Sequence, residues 1–139
     1  MRRAGQTAAW SQAPDAGAIE ALARAAIARL PGLFRNHLGD VVLRVEEFAD
    51  EETLEALGID NPFDLSGLYR GRPVGMKSID DSGALPDMIF LYRRALLDEW
   101  VESGATLESL VTHVLVHEVG HHFGLSDEDM HALEAAAAA

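Results

Sequence analysis

From Ala18 to Leu30 the apolar side chains Ile19, Leu22, Ala23, Ala26, Ile27 and Leu30 recur at steps of three and four. That is the period of a helix with one buried face. Asp15, directly after Pro14, is placed to cap its start, and Pro31-Gly32 to end it. The pattern changes at Val41-Val42-Leu43-Arg44-Val45-Glu46-Glu47-Phe48, β-branched first and alternating later, which predicts a strand. Asp50 predicts the cap of a short helix, with Glu51 and Glu52 in its first turn and Gly58 just past its end. Residues 61–86 are rich in Gly, Pro, Asp and Ser and hold at most short strands, around Leu68-Tyr69-Arg70 and Met76 to Ile79. Asp87-Met88-Ile89-Phe90-Leu91-Tyr92-Arg93 predicts a second good strand, and Ala95 to Ser103 a helical turn or two. After Gly104 a long helix is expected from Thr106 or Leu107 through about Phe123. A last helix should run from about Asp127 into the polyalanine end, fraying there because alanine favours helix but brings little surface to pack.

Helix, strands, helix and helix in that order predict an α+β domain, with a small sheet packed on helices. At 139 residues there is room for one domain, read as 15–139 behind a flexible N-terminal arm at 1–14. A composition of 48% hydrophobic and 24% charged residues is that of a folded globular chain. The net charge of −12 argues against nucleic acid and anionic membrane surfaces as partners, both of which need a basic footprint. With no cysteine, disulfides, thiolate metal sites and cysteine nucleophiles are excluded. Neither a secretory leader nor an apolar run of about 18–20 residues is evident, so a cytoplasmic, monomeric protein is expected.

Chemistry concentrates late in the chain. Four of the six histidines lie between 113 and 122, within and just before His117-Glu118-Val119-Gly120-His121-His122-Phe123-Gly124-Leu125-Ser126-Asp127. On a helix, residues four apart are about 6 Å apart along the axis and turned by about 40°, so His117 and His121 can grip one ion. Glu118 then stands beside the metal, where a general base acting on zinc-bound water belongs. Gly124 can end the helix and turn the chain back, which brings Asp127 into reach as the third ligand. His-Glu-x-x-His arises by chance in roughly 2% of chains of this composition. Adding Gly124 and Asp127 at their offsets lowers that to about one in several thousand.

His117-Glu118-x-x-His121-x-x-Gly124-x-x-Asp127 resembles the extended signature of zincin-type metallopeptidases in its aspartate-ended form. With Leu85-Pro86-Asp87-x-Ile89-x-Leu91-Tyr92-Arg93-Arg94 upstream, the chain resembles the minimal zincins, small single-domain bacterial proteins. The resemblance implies zinc on His117, His121 and Asp127, Glu118 as catalytic base, and hydrolysis of a peptide substrate. It also implies a small mixed sheet whose edge strand holds the substrate extended, for which residues 87–93 are the candidate. Only twelve residues follow Asp127, and Met130 is too close to it to form a separate methionine turn. Half of the usual cleft of the larger relatives would be missing.

Plainer readings stand beside these. Ser126-x-x-Asp129 resembles a capping box, which would make Asp127 a first-turn acid, with Glu128 or Asp129 as substitute ligands. His113 is expected in a solvated or supporting role, His122 in packing, and His37 and His131 at the surface. Gly120 inside a helix points to close approach of another element. Tyr69, Tyr92 and Arg93 are candidate oxyanion donors. The alternative function is a metal-stabilised module that binds a peptide and cleaves nothing. A non-peptide amide hydrolase would use the same centre.

Overall fold

A computed structural model describes residues 12–71 and 86–138. Helix α1 spans Ala16–Ala28, begun as expected by Asp15, whose Oδ1 accepts the Ala18 N–H at 2.8 Å. It buries Ile19, Ala23 and Ala26. Pro31-Gly32 does more than end this helix, because it opens a second one, α2, over Gly32–His37. A proline costs nothing at a helix start, where its missing N–H has no partner to lose. Six residues are too few to display a period, so the pattern alone could not reveal α2. Most of the expected N-terminal arm lies outside the described residues. Pro14, at its end, is buried, and its carbonyl accepts the Arg93 Nε–H at 2.7 Å.

Three strands form one sheet: β1 Val42–Glu46, β2 Gly67–Arg70 and β3 Met88–Tyr92, in the order β1-β3-β2. β1 runs parallel to β3, from Val42 opposite Met88 to Glu46 opposite Tyr92. β2 runs antiparallel to it, from Gly67 opposite Leu91 to Arg70 opposite Met88. The expectation that residues 87–93 form an edge strand is therefore corrected, because β3 is central and paired on both sides. The reason lies in its sequence. Ile89 and Leu91 enter the main core with α1, while Phe90 and Tyr92 enter a second cluster with Ala49 and Leu54. A strand covered on both faces reads as a continuous apolar run and belongs in the middle. Among the described residues the edges are β1 and β2. The strand expected at Met76 to Ile79 falls outside the described residues.

Between β1 and β2 lie α3, Glu51–Leu57, and a 3-10 turn at Pro62–Asp64. α3 starts where Asp50 Oδ1 accepts the Thr53 N–H at 2.7 Å and ends at left-handed Gly58. After β3, α4 spans Arg93–Ser103, longer than the turn or two expected. The long helix α5 covers Leu107–Phe123, capped by the Thr106 side chain and closed by Gly124 at φ 67°. Helix α6, Asp127–Ala137, folds back along it. No helix among the described residues is long and apolar enough to cross a membrane.

The two last helices meet at Gly120. A Cβ there would lie 2.3 Å from Met130 Sδ and 2.5 Å from its Cγ, so the buried methionine occupies the space that a side chain would need. Overpacking of this kind costs about 1–3 kcal/mol, against about 1 kcal/mol of gained helix propensity. Gly120→Ala should therefore lower stability in urea denaturation, and Met130→Ala should cost less in that background than it does in the parent, because the added methyl fills part of the space it vacates. The polyalanine end also departs from expectation, because Ala137 is fully buried in the core. The Arg29 guanidinium donates to the Ala137 carbonyl, satisfying a group that the end of a helix leaves open. That contact ties the end of α6 to Arg29, the residue that caps α1.

Candidate metal centre

α5, which carries His117, Glu118 and His121, is buried along most of its length. Val111, Leu115, Val116 and Val119 are wholly buried, which fixes the rotation of the helix and hence the directions of His117, Glu118 and His121. Glu118 points to the seam with β2. There a Cβ on Gly67 would stand 2.6 Å from Val114 Cγ1 and 3.4 Å from Glu118 Cγ, so the strand passes as closely as a residue without a side chain permits. Glu118 is only 8% exposed. Burial pushes its carboxyl above the usual range, while His121 and the Tyr69 backbone N–H, which donates to it, pull the other way.

His121 is exposed, and its Nδ1 lies 3.3 Å from Glu118 Oε1. A proton on Nδ1, directed at the carboxylate, leaves the lone pair on Nε2. His117 is half-buried, and its Nε2 is buried without a hydrogen-bond partner. An orphaned atom of this sort costs about 1–3 kcal/mol unless something else engages it. Burial holds the His117 imidazole below its ordinary pKa, helped by His113, His121 and His131 and opposed by Glu134. It is therefore neutral at physiological pH, the form that ligates metals. A neutral imidazole with a buried, unengaged nitrogen fits a metal ligand.

Asp127 is exposed and stands as the first residue of α6. Ser126 Oγ accepts the Asp129 N–H at 3.2 Å, so the capping interaction is present there. Among the described residues, the group of histidine and acidic side chains whose ligand atoms lie within 4.8 Å of one another is His113, His117 and Glu134. The structure thus places His117, Glu118 and His121 on one helix, while the ligand atoms of His117, His121 and Asp127 do not all lie within 4.8 Å of one another. Glu128 and Asp129, the substitutes, are exposed as well. Glu134 was missed by sequence reasoning. The spacing of four from His113 to His117 was visible, but its acidic partner appears only when α6 folds back.

The remaining candidates have other occupations. His122 is 2% exposed, with Nδ1 at 3.4 Å from the Tyr69 hydroxyl and 3.5 Å from Asp87 Oδ2. Burial, then the Asp87 charge, pushes the Tyr69 hydroxyl up to about 12. Half-buried Tyr69 and buried Asp87 and His122 thus form a polar group where sheet meets helix, which accounts for His122 as a packing residue. Arg93 is held by Pro14 and, at 2.8 Å, by Glu47 Oε1. Tyr92 is buried against Phe90, its hydroxyl raised to about 12 by burial and by the Glu46 charge. His37 and His131 are exposed, as expected.

A family model described as zincin-like metallopeptidase matches residues 38–137, which include the whole of α5 and α6. No curated protein shows significant similarity to the chain.

Proposed function

Because the chain belongs to the zincin-like metallopeptidase family, we propose that it is a zinc-dependent peptidase, with zinc on His117, His121 and Asp127 and with Glu118 as the base. The observation that carries this reading is the unpartnered, buried Nε2 of His117 one residue before a buried glutamate and four before a second histidine. Zinc bound there would act as a Lewis acid and bring the pKa of water down towards about 7. Two neutral imidazoles and one carboxylate leave such a centre with a net positive charge.

The chain's own residues do the rest. Glu118 takes the proton of the attacking water and returns it to the departing amine. Burial raises its pKa, which moves it in the direction that lets a base return the proton it has taken. The hydrogen bonds from His121 and the Tyr69 N–H keep the carboxylate aimed while it is charged. An extended peptide would pair with β2, the strand lying against Glu118, rather than with β3.

The test is a broad peptide library incubated with the zinc-loaded chain, with and without a chelator. Cleavage should require zinc, and Asp127→Ala should lower kcat/KM at least about tenfold, the least that disturbing a metal's surroundings typically costs. Cleavage at the parental rate would remove Asp127 from the ligand set. A zinc-loaded parent that binds peptides and cleaves none would favour the binding module instead.

A further inference from the structure

His113, one turn before His117 on α5, faces Glu134 of α6, with Nδ1 at 2.8 Å from Oε1. The rings of His113 and His117 lie 4.4 Å apart, centroid to centroid. One ligand atom from each of His113, His117 and Glu134 falls within 4.8 Å of the other two. We propose that these three side chains form a second divalent-metal site, between α5 and α6, that shares His117 with the catalytic set and excludes it.

The geometry needs little adjustment. Metal–ligand lengths of about 2.0–2.1 Å at tetrahedral angles put ligand atoms about 3.3 Å apart. The His113–Glu134 pair would open by about half an ångström and His117 would close in. Two imidazoles and a carboxylate suit zinc and its neighbours among the transition metals, and do not suit magnesium or calcium. Both helices hold the set firmly, because Met130 locks against Gly120 and Leu133 lies in the core. The half-exposed pair of His113 and Glu134 does not by itself engage His117 Nε2, which stays without a partner.

A neutral imidazole has one nitrogen lone pair, so His117 serves one ion at a time. An ion held by His113, His117 and Glu134 would lack His121, the ligand whose ring lies beside Glu118. The chain then carries zinc in an idle position. The site stands independently of peptide cleavage; only its power to exclude the active arrangement rests on the function proposed above.

The experiment titrates zinc alone into the metal-free full-length chain by calorimetry. The double variant His121→Ala/Asp127→Ala lacks two of the catalytic ligands and should still bind one zinc per chain. Adding Glu134→Gln to that background should weaken binding at least tenfold, and His113→Gln added instead should do the same. Circular dichroism establishes that each variant keeps its helices, and either third substitution suffices if the other fails to fold. Equal zinc affinity in the double and triple variants, or no binding by the double variant, would overturn the proposal. Neither result bears on Glu118 or on cleavage by the parent, so the two readings fail separately.

Discussion

Glu118→Gln should lower kcat for peptide cleavage by about 10²–10⁴-fold, the usual share of a general base, while leaving zinc affinity in place. Glutamine has nearly the same shape and can accept the Tyr69 N–H through its amide oxygen, but it cannot take a proton from water. Stability should move the other way. In the metal-free protein, burial raises the Glu118 pKa above its value in the unfolded chain. The contribution to stability is then complete below the unfolded pKa and is lost as pH rises through the folded one. The glutamine variant has no charge to bury, so without metal it should melt higher than the parent at neutral pH, with the difference vanishing in acid. Thermal melts across pH 4 to 8 check the second half, and stopped peptide assays the first. Parental turnover, or a melting difference independent of pH, would refute this account of the carboxylate.

His117→Ala should cost more zinc affinity than any other single change, upwards of about 100-fold, beyond the range seen when only a supporting group is lost. His117 belongs to both of the ligand sets proposed here, so on that reading no alternative arrangement survives its removal. The fold should tolerate the change. His117 is half-buried, and the atom removed from the interior is one that the protein itself leaves unsatisfied. Zinc at about 100 times its Kd stabilises a binding-competent chain by about 2.7 kcal/mol. That rise in Tm should be present in the parent and absent in the variant. A variant still stabilised by zinc would place the ion away from His117.

Local signals were readable from the residues alone. Asp15, Asp50 and Ser126 each cap a helix, Thr106 caps α5 at the boundary expected at 106 or 107, and Gly58, Gly104 and Gly124 each take the left-handed turn that stops one. Each device works within four residues, so composition and order suffice to find it. The helical spacing of His117, Glu118 and His121 was legible for the same reason. What escaped depends on distant partners. The central place of β3 follows from pairing with β1, more than forty residues earlier, as well as with β2. The hydrogen bond to the Ala137 carbonyl comes from Arg29, more than a hundred residues earlier, and the pairing of His113 with Glu134 needs the α5–α6 turn to be made. Asp127 shows both sides: its offset from His121 was plain, but its side chain stands exposed at the head of α6.

The contact at Gly67 has a consequence for how substrate choice can vary. Backbone there meets Val114 and the stem of Glu118 with no swinging group between them. The depth at which a cleaved bond would lie is thus gauged by main chain, which side-chain replacement cannot retune. On the function proposed above, selectivity among peptides paired with β2 would fall instead to Leu68 and Arg70, whose side chains lie on the opposite face with Phe90. Any bulk introduced at the glycine would instead lever the sheet off its helix.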